Sequence, residues 1–373
     1  MRNFLRLAFI AVFLLGATLP AFAKKSGRHQ RAVAEKKPVA PPTRNPADVE
    51  AATRLQVFLD RANFSPGRLD GHYGDFTLKA LALYRQSRGE PPTPLPAKPD
   101  TAPDVNGLDL ASMGPAFVPY TVTDGDLQTV GALPAAVPEQ AKLKVLPYRD
   151  AAEAIAEKFH CDPRFLEELN PGKSKAIKAG DQLMVPNVEP FELATVKDIK
   201  PGGDLTPQWP ANDLPDEPGA QPSASASEKK DQPAPPPAPP VAVKVDIKTN
   251  MLGVFEGDKI IAAYPVTIGS AQTQSPVGEW KVRGVAKMPN FRYDEQMLNH
   301  GERSKNFHML APGPNNPVGV MWIALNKKGI GLHGTAEPDS IGRSASHGCV
   351  RLANWDIVRL AGKIKANVAV SIH

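Results

Sequence analysis

The sequence predicts a multidomain protein, in which a small all-α module and a small α+β module precede a mainly-β sandwich or barrel domain. The chain has 373 residues, enough for two or three domains. It contains 40 prolines, about twice the usual share. Apolar residues recur at helical spacing before residue 90, whereas from Val241 onward they alternate with polar residues as in strands. We therefore expect folded modules joined by proline-rich linkers.

The N-terminus has the layout of an export signal. Arg2 and Arg6 precede an apolar run from Leu7 to Leu15, and small residues end at Ala23. This predicts a secretory signal peptide over residues 1–23, because a membrane span needs about 20 apolar residues. We therefore expect a protein of the periplasm or cell envelope, with no transmembrane segment after signal cleavage.

The charge balance argues against nucleic acid as a partner. The net charge is +5, and it falls to +3 once Arg2 and Arg6 are removed with the signal. Acidic residues are dispersed among the basic ones, so no strongly positive surface is predicted.

The two cysteines raise the question of a disulfide, since exported proteins often contain them. A long proline-rich linker separates Cys161 from Cys349, and Cys349 has the neighbours of a reactive thiol. We therefore expect a free Cys349 and interpret Cys161 as a small apolar filler.

Residues 46–89 are predicted to form the all-α module, after a disordered lead over residues 24–45. Two segments with apolar residues at helical spacing flank the turn-rich SPGRLDGHYGD (65–75), in which Asp75 is placed as an N-cap. The segment LQVFLDRANFSPGRLDGHYGDFTLKALALYRQ resembles the small helical peptidoglycan-binding domain family, which has a DGxxG loop between two helices.

Residues 117–188 are predicted to form the α+β module, after a linker over residues 90–116. A strand at FVPYTVTDGD, two helices and a closing strand at AGDQLMVPN follow one another, and Asp162 is a plausible N-cap of the second helix. This order resembles the LysM domain, a glycan-binding module. Residues 127–149 form an insertion where that family usually has a short turn, which bears on glycan affinity more than on the fold.

The C-terminal domain, residues 241–373, follows a proline-rich linker over residues 189–240. Alternating segments predict strands separated by turns, including one at Gly257-Asp258. One amphipathic helix is predicted between Asn354, its candidate cap, and about Lys365. Because most of the domain is predicted to be strand, we expect an antiparallel or mixed sandwich or barrel.

The segment SHGCVRL (346–352) concentrates reactive side chains. In an extended SHGCV, His347 and Cys349 project to the same face, and Gly348 permits close approach of backbone or substrate. His333 lies upstream in GLHGT, one loop away. A partner imidazole is expected to lower the pKa of the thiol and to create a nucleophile.

Two other interpretations use the same atoms. His333, His347 and Cys349 could hold zinc with a water molecule in the fourth position, although no second cysteine, HExxH motif or carboxylate at ligand spacing supports this. Cys349 could also be a buried strand residue, although two histidines, a serine and a glycine are poor core material.

HGT (333–335) followed by SHGCVRL resembles the signature of the L,D-transpeptidase catalytic domain (YkuD-type), and SPVGEW (275–280) and NPVGVMWIAL (316–325) resemble that family's recurring segments. The resemblance implies that Cys349 is the nucleophile and that His333 is the general base and later proton donor, oriented by a backbone carbonyl near Gly334. It also implies that four residues shape the site or form the oxyanion hole: Gly334, Ser346, His347 and Gly348. No metal or cofactor is required.

Substrate contacts are expected from two further places. Arg351 is interpreted as holding a substrate carboxylate or the loop, with a structural ion pair equally open. Residues 287–317 have little periodicity and are long for a loop. We expect them to form a substrate-covering flap, with Tyr293 or Phe291 contacting the stem peptide.

The resemblance implies an exported cysteine L,D-transpeptidase that acts on peptidoglycan, with stem peptides and glycan strands as partners. The acyl acceptor stays open between a second stem peptide, a lipoprotein or other protein, a free D-amino acid and water. An L,D-carboxypeptidase-type hydrolase and a non-catalytic wall-binding protein are the alternatives.

Overall fold

The computed structural model describes residues 44–91, 94, 98, 100–198, 239–269, 275–343 and 348–373. The predicted signal peptide and most of the 189–240 linker lie outside these residues. Within the described ranges, no helix is both long enough and apolar enough to cross a membrane.

The all-α module consists of α1 (Pro46–Arg61) and α2 (Asp75–Ser87). The side chain of Asn45 caps α1 by accepting a hydrogen bond from the Ala47 amide at 3.1 Å, and Pro46 occupies the first helical position. The prediction that Asp75 caps α2 is wrong, because Gly74 occupies the cap position. Asp75 lies in the first turn instead and forms an ion pair with Lys79 at 2.7 Å.

The middle module pairs β1 (Phe117–Thr121) with β2 (Gln182–Pro186) as antiparallel strands, and its two longest described helices lie between them in the chain. These helices are α5 (Ala151–Lys158) and α6 (Pro163–Leu169). Asp162 caps α6 by accepting from the Arg164 amide at 2.8 Å, which confirms that predicted cap. Two shorter helices precede them: α3 (Asp124–Leu127) ends where the insertion begins, and α4 (Val137–Gln140) lies within the insertion.

In its described residues, the C-terminal domain is built on one mixed sheet of eight strands. In chain order these strands are β3 (Val241–Asp246), β4 (Met251–Glu256), β5 (Lys259–Pro265), β6 (Gly278–Lys287), β9 (Met321–Leu325), β10 (Gly331–His333), β11 (Val350–Arg351) and β12 (Ala369–Ile372). Across the sheet their order is β11-β10-β9-β6-β12-β3-β4-β5. The pairs β10–β11 and β12–β3 are parallel and the other pairs are antiparallel.

The sheet curls until its two ends meet. Thr267, just beyond β5, exchanges backbone hydrogen bonds of 2.9 and 3.0 Å with Arg351 on β11. The two edge strands are therefore joined, as in a barrel. The predicted mainly-β domain is confirmed, and the mixed, barrel-like form is the one observed.

The helix α8 (Asn354–Ala361) packs its apolar side chains into the core of this sheet. The prediction that Asn354 caps this helix is wrong, since Ala353 is the cap residue and provides no side-chain bond. The buried side chain of Asn354 bonds instead to residues outside the helix.

The all-α module packs directly on the C-terminal domain. The Ser65 amide donates to the Ala263 carbonyl at 2.8 Å, and the Ala263 amide donates to the backbone carbonyl of Asn63 at 2.9 Å. Nearby, Arg359 of α8 forms an ion pair of 2.9 Å with the fully buried Asp60. Breaking such a buried pair costs about 3–5 kcal/mol, so this contact is firm.

The segment predicted as a flap forms a small hairpin with a helix in it. Its strands are β7 (Phe291–Tyr293) and β8 (His308–Leu310), with α7 (Glu295–His300) between them. Asp294 caps α7 and accepts from the Ser304 amide at 2.8 Å, which ties the connection back to the hairpin. Local polar contacts therefore hold this segment together, although its sequence has no periodic apolar pattern.

Candidate active site

Cys349 stands immediately before the short strand β11 and follows a sharp bend in the chain. Gly348 has a φ angle of +107°, in the region that glycine alone enters without strain. The expectation that SHGCV is extended through Cys349 is therefore wrong at Gly348. Ser346 and His347 lie outside the described residues, so their predicted contributions stay predictions.

His333 ends the strand next to Cys349. β10 and β11 run parallel, with His333 opposite Arg351 and Leu332 opposite Val350. Alternation along the strands puts Leu332 and Val350 in the core, so His333 and Cys349 project to the opposite face. His333 and Cys349 are thus brought together on one face of the sheet.

A backbone carbonyl orients the imidazole, as the family resemblance implied. His333 Nδ1 lies 2.6 Å from the carbonyl oxygen of Gly334. Since a carbonyl only accepts, Nδ1 carries the proton and Nε2 is left as the proton acceptor. The ring also stacks on the indole of Trp322, with centroids 5.2 Å apart and an angle of 12° between the planes.

Burial controls the charge state of both groups. His333 is only 4% exposed, and burial lowers its pKa to about 3, although the bond to Gly334 raises it and nearby Arg351 lowers it further. Burial likewise raises the pKa of the Cys349 thiol to about 11, against a backbone hydrogen bond with Gly331 and the charge of Arg351. The expected lowering of the thiol pKa is therefore wrong for the resting site, which holds a neutral thiol and a neutral imidazole.

The thiol lies along the beginning of β10. Cys349 Sγ donates to the Gly329 carbonyl at 3.4 Å. His333 is paired with Arg351, and Cys349 precedes Arg351 by two residues. Cys349 is therefore offset from His333 by about 7 Å along the strand direction. Among the described residues, neither Cys349 nor the buried Cys161 forms a disulfide.

Arg351 adds positive charge beside the thiol. It is half-buried, and burial lowers the pKa of its guanidinium, while Cys349 and Glu337 raise it. Its predicted roles, holding a substrate carboxylate or the loop or forming a structural ion pair, all stay predictions.

The hairpin of the predicted flap contacts the face that carries Cys349. Phe291 and Leu310 of the hairpin pack with Trp322 and Ala324 of the sheet, and Tyr293 and Cys349 border this apolar cluster. The expected contact of Tyr293 or Phe291 with the stem peptide stays a prediction.

The insertion of the middle module reaches the same cluster, which the sequence did not indicate. The Leu146 amide donates to the Pro312 carbonyl at 2.9 Å, and the Asn315 amide donates to the Leu146 carbonyl at 3.3 Å. A Cβ on Gly313, whose φ is +150°, would overlap the Leu146 carbonyl. Four further insertion residues border the cluster: Leu133, Val137, Ala141 and Leu143. The insertion is thus bonded to and packed against the flap segment.

A metal site receives no geometric support from the described residues. Within them, no group of three or more His, Cys, Asp and Glu side chains comes close enough to hold an ion. The zinc interpretation also requires His347, which lies outside the described ranges.

Residues 240–372 match the family described as the L,D-transpeptidase catalytic domain, YkuD. The Bacillus licheniformis protein "Putative L,D-transpeptidase YkuD" is 32% identical over 121 residues, which cover 32% of this chain and 58% of that protein. The Bacillus subtilis protein "Putative L,D-transpeptidase YqjB" is 32% identical over 130 residues, covering 34% of this chain and 66% of that protein. The Escherichia coli protein "Probable L,D-transpeptidase YbiS" is 28% identical over 120 residues, which cover 31% of this chain and 38% of that protein.

A solved structure, the catalytic domain from the E. faecium L,D-transpeptidase, matches 36% of this chain and 96% of that chain at 16% identity, with a TM-score of 0.29. The chain spans a little over half the length of the YkuD protein from B. licheniformis. The predicted L,D-transpeptidase catalytic domain is confirmed for residues 240–372. The family match does not extend to the all-α module or the middle module, whose resemblances stay predictions.

Proposed function

We propose that this protein is an exported cysteine L,D-transpeptidase that acts on tetrapeptide stems of peptidoglycan. The observation that carries the proposal is the orientation of His333: its Nδ1 donates to Gly334, which leaves Nε2 as the proton acceptor on the face that carries Cys349. The names of the YkuD, YqjB and YbiS proteins support the same reaction class.

In the first half-reaction, Cys349 attacks the carbonyl on the L-centre of the diamino acid in the stem. His333 Nε2 takes the thiol proton as the carbon–sulfur bond forms, and it returns that proton to the departing amine as the bond to D-Ala breaks. The products are a thioester on Cys349 and one free D-Ala. The amides of Gly348 and Cys349 are the proposed donors to the oxyanion, each worth on the order of 10²–10³ in rate.

In the second half-reaction, an amine attacks the thioester. His333 accepts a proton from the amine and returns it to the sulfur, so that an amide forms and the thiol is regenerated. An amine from another stem gives a 3-3 cross-link, an amine of a lipoprotein gives an attached protein, and water gives the hydrolase. No cofactor enters these steps.

The neutral resting pair fits this sequence of proton transfers. A thiol with a pKa of about 11 beside an imidazole with a pKa of about 3 does not ionise before the substrate binds. The thiol must also turn from the Gly329 carbonyl toward Nε2. We infer that the stem peptide, enclosed by the flap near Tyr293, brings about this movement, while Arg351 holds a stem carboxylate.

The test is product analysis after the mature protein is incubated with a disaccharide-tetrapeptide. Wild type is expected to give a cross-linked dimer with loss of one D-Ala, and Cys349→Ala none. Tripeptide alone would support the hydrolase, and no product with any amine acceptor would favour a non-catalytic wall-binding protein.

A further inference from the structure

The buried side chain of Asn354 connects the middle module to the backbone at Gly334, next to His333. Asn354 is fully buried, and its Oδ1 accepts from the Val320 amide at 3.1 Å. Since a backbone N–H only donates, this bond fixes the direction of the amide group. Its Nδ2 then donates to Glu157 Oε1 at 2.8 Å and to the Pro314 carbonyl at 3.3 Å. Glu157, on α5 of the middle module, is the nearer acceptor.

The same amide lies against the residue that orients the imidazole. A Cβ built on Gly334 or on Gly319 would overlap Asn354 Oδ1. The two glycines therefore pack directly against the Asn354 side-chain amide. The carbonyl of Gly334 in turn accepts a hydrogen bond from His333 Nδ1 at 2.6 Å. A shift of the Asn354 amide has to move Gly334, and with it the imidazole.

The Glu157 carboxyl is suited to act as a fixed acceptor. It is 7% exposed, and it shares hydrogen bonds with the Tyr148 hydroxyl and with Asn354. Burial raises its pKa to about 7, the two hydrogen bonds lower it, and the charge of Glu153 one turn earlier raises it. A protonated carboxyl accepts through its carbonyl oxygen and avoids the cost of an unpaired buried charge.

We propose that Glu157 is a positioning residue for His333, acting through Asn354 and Gly334, so that the middle module is a working part of the catalytic site. The inference rests on the proposed function, because it assigns Glu157 to the base of that reaction. It also gives the middle module a task that does not depend on glycan binding.

The experiment compares Glu157→Leu, Glu157→Gln and Ser65→Ala in the full chain. Leucine removes the acceptor, whereas glutamine keeps a carbonyl oxygen for Asn354. Ser65→Ala is the matched control, because the Ser65 hydroxyl bonds Asp356 of α8 at 2.9 Å across another buried contact between modules that does not include Gly334. Two quantities are measured: kcat and KM on the disaccharide-tetrapeptide, and the ¹⁵N signals of the His333 ring, which distinguish the Nδ1–H and Nε2–H tautomers.

We expect Glu157→Leu to lower kcat at least tenfold with KM changed less than twofold, and to add an Nε2–H population to His333. Glu157→Gln should restore both quantities to within about threefold of wild type. Ser65→Ala should lower the melting temperature and leave the ring signals unchanged. An unchanged tautomer and kcat in Glu157→Leu would overturn the inference, as would equal ring changes in Ser65→Ala.

If Glu157→Leu does not fold, Tyr148→Phe takes its place, because it removes only one hydroxyl from the Glu157 carboxyl. A mixed tautomer with lower kcat then supports the inference, and unchanged ring signals overturn it. If wild type forms no product while the ring signals follow the expected pattern, the proposed function fails and the positioning of His333 by Glu157 stands.

Discussion

The imidazole of His333 lies nearly parallel to the indole of Trp322, with the ring centroids 5.2 Å apart and 12° between the planes. The stack limits rotation of the imidazole, and the Gly334 carbonyl selects its tautomer. Two independent contacts therefore direct Nε2, neither of which belongs to the SHGCVRL motif.

The stacking contact predicts a graded loss of activity at Trp322. Trp322→Phe keeps an aromatic ring and is expected to lose less than threefold in kcat/KM. Trp322→Leu removes a contact worth about 1 kcal/mol and should lose about fivefold. Turnover of the tetrapeptide by the two variants tests this, and equal activity in both would show that the stack does not orient the base.

The neutral thiol predicts a specific pH dependence of alkylation. With a thiol pKa raised to about 11 by burial, the reaction of Cys349 with iodoacetamide should be slow at pH 7. It should rise about tenfold per pH unit between pH 8 and 10, because only the thiolate reacts. Peptide mapping separates Cys349 from the buried Cys161. A rate that is already constant above pH 6 would indicate a thiolate–imidazolium pair instead.

Glu157 predicts a pH-dependent loss of stability. Its pKa in the folded protein is raised from 4.5 to about 7, chiefly by burial. Below about pH 4 both folded and unfolded chains are protonated there. Between pH 4.5 and 7 only the unfolded chain loses the proton, so the free energy of unfolding decreases as pH rises, by up to about 3 kcal/mol. Above pH 7 the loss stays constant.

Denaturant unfolding of wild type and Glu157→Gln at pH 4 and pH 8 measures this difference, since glutamine does not titrate. The variant is expected to gain stability relative to wild type as pH rises. A gap that is the same at both pH values would contradict the raised pKa.

The contact between the insertion and the flap predicts a strong effect at Gly313. Gly313→Ala would place a methyl group on the Leu146 carbonyl and should separate the insertion from the flap. Gly301→Ala is the matched control, because Gly301 also has a positive φ, +76°, but has no neighbour within 4 Å of an added Cβ. We expect about 1 kcal/mol of destabilisation in the control from backbone strain alone.

Hydrogen exchange of the flap amides distinguishes the two variants. Gly313→Ala should lose protection in β7 and β8 and show a higher KM, whereas Gly301→Ala should keep both near wild type. Equal protection in the two variants would mean that Leu146 does not support the flap.

Local patterns in the sequence indicated what lies close along the chain. The Asp162 cap and the Gly257-Asp258 turn depend on neighbouring residues, and the structure has both where expected. Asn354 shows the limit of this reasoning. Its position before a helical pattern suggests a cap, but the buried acceptors Glu157 and Pro314, brought close by the tertiary fold, take its side chain instead.

The insertion at residues 127–149 shows the same limit at larger scale. The sequence marks it only as a departure from a resemblance, because no local pattern states that Leu146 will meet Pro312. The predicted thiol pKa was wrong for a related reason: the motif supplies the imidazole, while burial depends on the flap and the sheet together.

The most direct measurement of the central claim is the mass of the intact protein during reaction with a tetrapeptide stem in the absence of an amine acceptor. We expect wild type to gain the mass of the stem less D-Ala, with the adduct mapped to Cys349 and removed when an amine is added. Cys349→Ala should gain nothing. An adduct on another residue, or D-Ala release by the Cys349→Ala variant, would contradict the proposed thioester mechanism.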